Sequence, residues 1–145
     1  MAMSKPRIVL LLLLALTLPG CAGLGSLGIT GKAQTARSLN EFRTANGLTP
    51  LRTDGHLTAL AAAHAASMAR RDTLDHSGFM DQRGPAGARA ENVAYGCADT
   101  PCVIRVWINS AGHRHNMLRN DVTRYGLASA RSPSGKTYWA LEVGE

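Results

Sequence analysis

Aromatic residues are scarce in this 145-residue chain, at 5% of positions, and cysteines number only three. With so few aromatics and no basic stripe interleaved with them, the chain lacks the surface that stacks and clasps nucleic acid. No Cys-x-x-Cys pair is present, which removes the usual zinc-ribbon reading. A Gly-x-Ser-x-Gly elbow and a glycine-rich phosphate loop are also missing. Ser77 and Ser110 lie near histidines in the chain, but no motif marks either as a nucleophile. No apolar run reaches the roughly 20 residues that a spanning helix needs. There is no internal repeat.

What is present begins with a signal-like start. Lys5 and Arg7 form a short positive region, and Ile8 to Leu16 an apolar one. The stretch ends in Leu18-Pro19-Gly20-Cys21, which resembles the bacterial lipobox. That resemblance implies lipidation of the Cys21 sulfur, cleavage before it, and acylation of the new amine. Several acyl chains together anchor a protein stably where one does not. The alternative is an ordinary signal peptide cut near Ala15 or Ala22. Residues 1–20 hold two basic residues and no acid, so the chain from Cys21 onward carries +4 where the whole carries +6. Ala22 is not the aspartate that commonly retains bacterial lipoproteins in the inner membrane. The expected location is therefore the cell envelope, lipid-anchored, and in a two-membrane cell the outer membrane facing the periplasm.

Export leaves Cys97 and Cys102 as an even pair in an oxidising compartment, so a disulfide between them is expected. A metal site is the alternative, disfavoured because no second pair exists. So small a loop would gain on the order of 2 kcal/mol from closure, less any strain.

Residues 21–35 are rich in Gly, Ser and Ala and read as a flexible tether. Residues 36–145 suit one domain. A helix is expected from Ala36 to Asn46, stopped by Gly47. A stronger one follows Asp54, a good N-cap, with Leu57, Leu60, Ala61, His64, Ala65 and Met68 at helical spacing through Arg70. Residues 75–90 read as loop, from Gly78, Gly84, Pro85 and Gly87. A third helix starts after Thr100-Pro101, with Val103, Val106 and Trp107 inward, and stops near Ser110-Ala111-Gly112. A short helical turn covers Arg114 to Leu118. Two strands, Tyr125 to Arg131 and Thr137 to Val143, form a hairpin across Ser132-Pro133-Ser134-Gly135. Trp139, Leu141 and Val143 share one face of the second strand; Tyr138, Ala140 and Glu142 share the other. The order of elements suggests a layered α+β domain.

The unusual polar residues concentrate in Asp75-His76-Ser77, Glu91-Asn92, Trp107-Ile-Asn-Ser110 and Gly112-His113-Arg114-His115-Asn116-Met117-Leu118. Two neutral imidazoles and a carboxylate make a plausible ligand set for zinc or another divalent cation, and the same groups can act as acid and base. The bland alternative stands beside this. Glu91 pairs with Arg89 or a protonated histidine, His76 fixes its loop, and His113 caps the turn that follows. His115, two positions from His113, points elsewhere on a helical turn. His64 reads as a core-edge histidine and His56 as exposed. Asn92 and Asn116 read as braces for loose backbone groups.

In order and spacing these segments, with Asn40-x-x-Arg43, Leu51, Gly126 and Tyr138-Trp139, resemble a bacterial member of the CAP superfamily. That superfamily includes the cysteine-rich secretory proteins, insect venom antigen 5 and plant pathogenesis-related proteins. The resemblance covers nearly all of residues 36–145 and implies an α-β-α sandwich with a shallow cleft. Many members line the cleft with two histidines and two acids. His76 and His113 match the histidines, and Glu91 matches the acid of the Glu-Asn motif. The second acid usually stands three residues after a Trp; here that position is Ser110. The implied cleft set is thus His76, Glu91, Ser110 and His113, with His76, His113 and Glu91 the metal candidates and no residue assigned a catalytic role. The implied function is a non-catalytic envelope binding module, acting as a monomer on a lipid, glycan, metal ion or protein partner. A metal-dependent hydrolase with a degenerate site and an inert structural protein are the alternatives.

Overall fold

The computed structural model describes residues 31–145. The signal-like segment, Cys21 and the first part of the expected tether lie outside the described residues. The rest of that tether is not extended chain. Gly31–Gln34 forms a helical turn, α1, because Ala33 and Ala36 are fully buried beside the next helix. That helix, α2, spans Leu39–Ala45 and starts later than expected, since the Ser38 hydroxyl accepts from the Glu41 amide and caps it there.

A two-residue strand, β1 (Arg52–Thr53), precedes α3 (Gly55–Arg71), which Asp54 caps through the Leu57 amide. Next come a π-helical turn (Phe79–Arg83), β2 (Ala88–Tyr95), α4 (Thr100–Ile108), α5 (Ala111–Met117), β3 (Arg124–Arg131) and β4 (Thr137–Gly144). The strands form one sheet in the order β1-β3-β4-β2, with β1 and β3 parallel and the other neighbours antiparallel.

The sheet separates two cores. On one face α3 lays Ala61, Ala65, Met68 and Ala69 against Val93, Tyr138 and Ala140. On the other, residues of α1, α2, α4 and α5, with Phe42, Trp107 and Met117 among them, pack against Trp139, Leu141 and Val143. The arrangement is an α-β-α sandwich, and β4 divides its side chains between the two faces as its alternation predicts. Val106 departs from expectation: it lies 46% exposed on the outer side of α4, because Val103, Ile104, Trp107 and Ile108 take the inward stripe.

Alanine and glycine set the tight spacing on the α3 side. A Cβ on Gly126 would come within 2.1 Å of the Thr58 amide nitrogen, so the start of α3 rests directly on the β3 backbone. Cys97 and Cys102 are joined, with Cα atoms 5.5 Å apart, closing the turn between β2 and α4.

Candidate functional site

β2 supplies the centre of the site. Its residue Glu91 points to the α3 face and stands opposite Glu142 of β4 in register. The two carboxyl groups are 5% and 0% exposed by residue. Two buried carboxylates side by side repel, and burial penalises both. The π-helical turn answers this. Gly78 takes a left-handed conformation, and the amides of Arg83 and Gly84 bond five residues back, to Gly78 and Phe79. That geometry swings Arg83 inward. Its Nε donates to Glu91 Oε2 at 2.6 Å and lies 3.1 Å from Glu142 Oε1; its Nη1 donates to the Ser77 carbonyl at 2.8 Å.

The two acids then part ways. Burial, the hydrogen bond to Glu91 and the charge of Glu91 push Glu142 up to about 10, against the weaker pull of Arg83. Glu142 is therefore a neutral acid at pH 7, and neither of its oxygens receives a hydrogen from a fixed donor. Burial pushes Glu91 upward too, but hydrogen bonds from Glu142, Arg83 and His76 outweigh it and hold Glu91 below the usual carboxylate range. The pair carries one negative charge, and Arg83 balances it.

His76 approaches from the surface, its side chain 55% exposed, with Nδ1 2.7 Å from Glu91 Oε1. A carboxylate at Nδ1 fixes the ring and turns Nε2 outward. His64 of α3 lies below, 4% exposed, and its Nε2 donates to the Asp75 carbonyl at 2.9 Å. Burial lowers its proton affinity, so the 3.8 Å approach to Glu91 is not an ion pair at neutral pH.

His113 sits on α5. Burial, and then the charge of His76, lower its proton affinity; its Nδ1 is buried without a hydrogen-bond partner. Asn92 and Asn116 hold α5 to β2: Asn92 Nδ2 donates to the His113 carbonyl at 3.0 Å, and Asn116 Nδ2 to the Glu91 carbonyl at 3.1 Å and to Asn92 Oδ1 at 3.0 Å. Both asparagines are the expected braces. Ser110 stands just before α5, and its side chain makes no capping bond. A cavity of about 370 Å³ is lined by His76 and Glu91 with Phe79, Met80, Asn116 and Arg119, but not by His113 or Ser110.

This geometry gives Glu91 a histidine, His76, of its two alternative partners, and not Arg89. Arg89 reaches Glu145 instead, because side chains alternate along β2 and Arg89 lies beyond the irregularity between Ala88 and Ala90. It also tests the metal trio. Among the described residues no group of three or more His, Cys, Asp or Glu side chains is placed to hold a metal ion. Both Glu91 oxygens are committed to His76 and Arg83, and His76 Nδ1 is committed to Glu91, so His76, His113 and Glu91 do not fit a three-ligand centre. Arg83 and Glu142 were not foreseen. The available signal was a carboxylate on the inward face of β4, beside Tyr138 and Ala140. His115 is exposed and His64 buried, as expected; His56, though exposed, touches the Ala86 carbonyl through Nε2 at 2.9 Å.

The family model for the cysteine-rich secretory proteins, CAP, matches residues 36–143. The chain belongs to that family. Its CAP domain is 32% identical over 104 residues to the uncharacterized protein YkwD of Bacillus subtilis, covering 66% of this chain and 40% of that one. It is 29% identical over 111 residues to the uncharacterized membrane protein YlbC of the same organism, covering 70% and 32%. The chain thus spans less than half the length of these relatives. Among solved structures, an extracellular SCP-domain protein of Bacillus anthracis superposes with a TM-score of 0.59 at 27% identity, covering 74% of this chain and 38% of that one. YlbC is labelled a membrane protein and the Bacillus anthracis protein extracellular, and no helix among the described residues is long and apolar enough to cross a membrane.

Proposed function

We propose that the CAP domain is a non-catalytic binding module of the cell envelope, carried on a lipid at Cys21, with His76 as the contact residue of its cleft. The observation that carries this reading is the commitment of both Glu91 oxygens, to His76 Nδ1 at 2.7 Å and Arg83 Nε at 2.6 Å. Glu91 is then an orienting carboxylate and leaves His76 Nε2 to meet the ligand. Exposed Met80, at 84%, and the side chains of Asn116 and Arg119 give that ligand apolar and polar footing. A lipid, a glycan or an envelope protein each satisfies this chemistry. A hydrolase would need a metal held firmly enough to activate water, and Ser110 adds no anionic ligand.

Elemental analysis separates the two. The dialysed protein should keep no stoichiometric zinc, and calorimetric titration should find only weak binding, lost in His76→Ala. That binding should weaken further on acidification, because protons compete for imidazole nitrogens. One zinc retained per chain would overturn the non-catalytic reading. The anchor is tested apart from the cleft: Cys21→Ala should abolish labelling by radioactive fatty acid and release the protein from membranes. Unchanged membrane retention would remove the lipid from the proposal.

A further inference from the structure

Arg43 on α2 is 2% exposed, yet no acidic side chain among the described residues pairs with it. Its Nε donates to the Thr49 carbonyl at 3.0 Å, and its Nη1 to the carbonyls of Met117 at 2.9 Å and Arg119 at 2.7 Å. Carbonyls orient a guanidinium but bring no net charge. Burial lowers its proton affinity, with no neighbouring charge acting on it. Guanidinium nevertheless stays protonated in proteins. A buried cation without a counter-ion is the costly case, since desolvation is uncompensated. The third nitrogen, Nη2, makes no hydrogen bond within the described residues and is not among the atoms sealed from solvent.

Arg43 lines a cavity of about 460 Å³ between the loop after α2 and the loop after α5. Arg52 and Asn120 line it too, with Leu48, Pro50 and Val122 as apolar wall. Arg52 has no ion-pair partner among the described residues. The adjacent acid, Asp121, is turned onto Arg119, and the charges that act on it are those of Arg119 and Arg89, not of Arg43 or Arg52. The cavity is therefore positive, partly apolar and of the volume that small molecules fill.

We propose that this cavity is a binding site for a small organic anion, whose carboxylate or phosphate meets Arg43 Nη2 and Arg52 while its apolar part rests on Leu48, Pro50 and Val122. Guanidinium groups match the planar or tetrahedral oxygens of such anions with charge-assisted hydrogen bonds. The site is distinct from the His76 cleft: the two cavities share no lining residue, although Arg119 of the cleft is next to Asn120 in the loop after α5.

The test is a titration of the isotope-labelled protein at constant ionic strength, with hexanoate, inorganic phosphate and chloride as separate probes. Hexanoate or phosphate should give saturable shifts at the amides of residues 48–52 and 120–123 and at Arg43 Nε–H, with a dissociation constant on the order of 1 mM. A response to hexanoate alone assigns a carboxylate head, and to phosphate alone a phosphate head. Arg43 also holds three carbonyls of the fold, so the variants are Arg52→Glu and Asn120→Asp, which place negative charge on the rim. Each should weaken binding about tenfold or more, while His76→Ala leaves it unchanged. No saturable shift up to about 50 mM, equal shifts with chloride, or full affinity in Arg52→Glu would overturn the proposal.

Discussion

Arg83 and Arg43 are both buried arginines, and their surroundings differ in one respect. Arg83 faces two acidic side chains, Glu91 and Glu142, that share one proton and so present one negative charge. Arg43 faces three backbone carbonyls. Each arginine leaves its Nη2 without a hydrogen-bond partner among the described residues, but only the first setting satisfies charge. Around Arg83 the ledger of charge closes inside the protein, so that region orients His76 and asks nothing of solvent. Around Arg43 a positive charge is left over, and it meets a cavity.

Removing each cation should therefore do different things. Arg83→Met leaves the Glu91 carboxylate buried without its counter-ion and should cost about 3–5 kcal/mol. Arg43→Met strips three carbonyls of a donor but strands no charge, and should cost about 1–3 kcal/mol. Urea unfolding at pH 7 measures both. The comparison sharpens with pH. Glu91 is held below its ordinary range, so its contribution to stability is present above the unfolded carboxylate range and is lost as pH falls toward its folded value. The Arg83→Met penalty should shrink on acidification, because Glu91 then takes a proton in the variant. The Arg43→Met penalty should not. Equal penalties with equal pH dependence would erase the distinction.

The last effect, at Glu142, has the opposite sign. Its folded value is raised to about 10, so its contribution is present below the ordinary carboxylate range and is lost progressively as pH rises toward 10. Glu142→Gln mimics the protonated form. It should therefore be more stable than the native chain at neutral pH and flatten the loss that the native chain shows as pH rises. A large loss of stability in Glu142→Gln at pH 7 would mean that the pair does not share a proton in this way.

Much of the sandwich can be read from local signals. The spacing of Leu57, Ala61, His64, Ala65 and Met68 after Asp54 announces α3, and the alternation around Trp139 announces β4. β2 gives no such signal. It is buried along both faces, with Ala90, Glu91, Asn92, Val93 and Ala94 all inaccessible, so polar and apolar residues do not alternate. Glu91 and Asn92 look like loop residues for that reason. The meeting of His76 and Glu91 was legible, but Ser110 and His113 do not line their cavity, and the logic of the site was not legible. Nothing local ties Arg83, after Gly78 and before Gly84, to a strand, because the π-helical turn that aims it has no periodic pattern. The clasp of Arg43 on Met117 and Arg119 spans 74 and 76 positions and lies beyond any local reading.

The sheet order also dictates when this protein can fold. β4, the last strand among the described residues, is flanked by β3 and by β2, and among those residues β2 pairs with no other strand. β1 likewise waits for β3, some 70 residues further along the chain. An emerging polypeptide cannot join β2 to the other strands until the β3–β4 hairpin has been made, and until then the α3 stripe and β2 lie uncovered together. Assembly is thus a single late event rather than a stepwise accretion from the N-terminus, with slow, non-local closure as its cost. A chain cut before Thr137 is not a smaller version of the domain: it lacks the strand on which both cores are built.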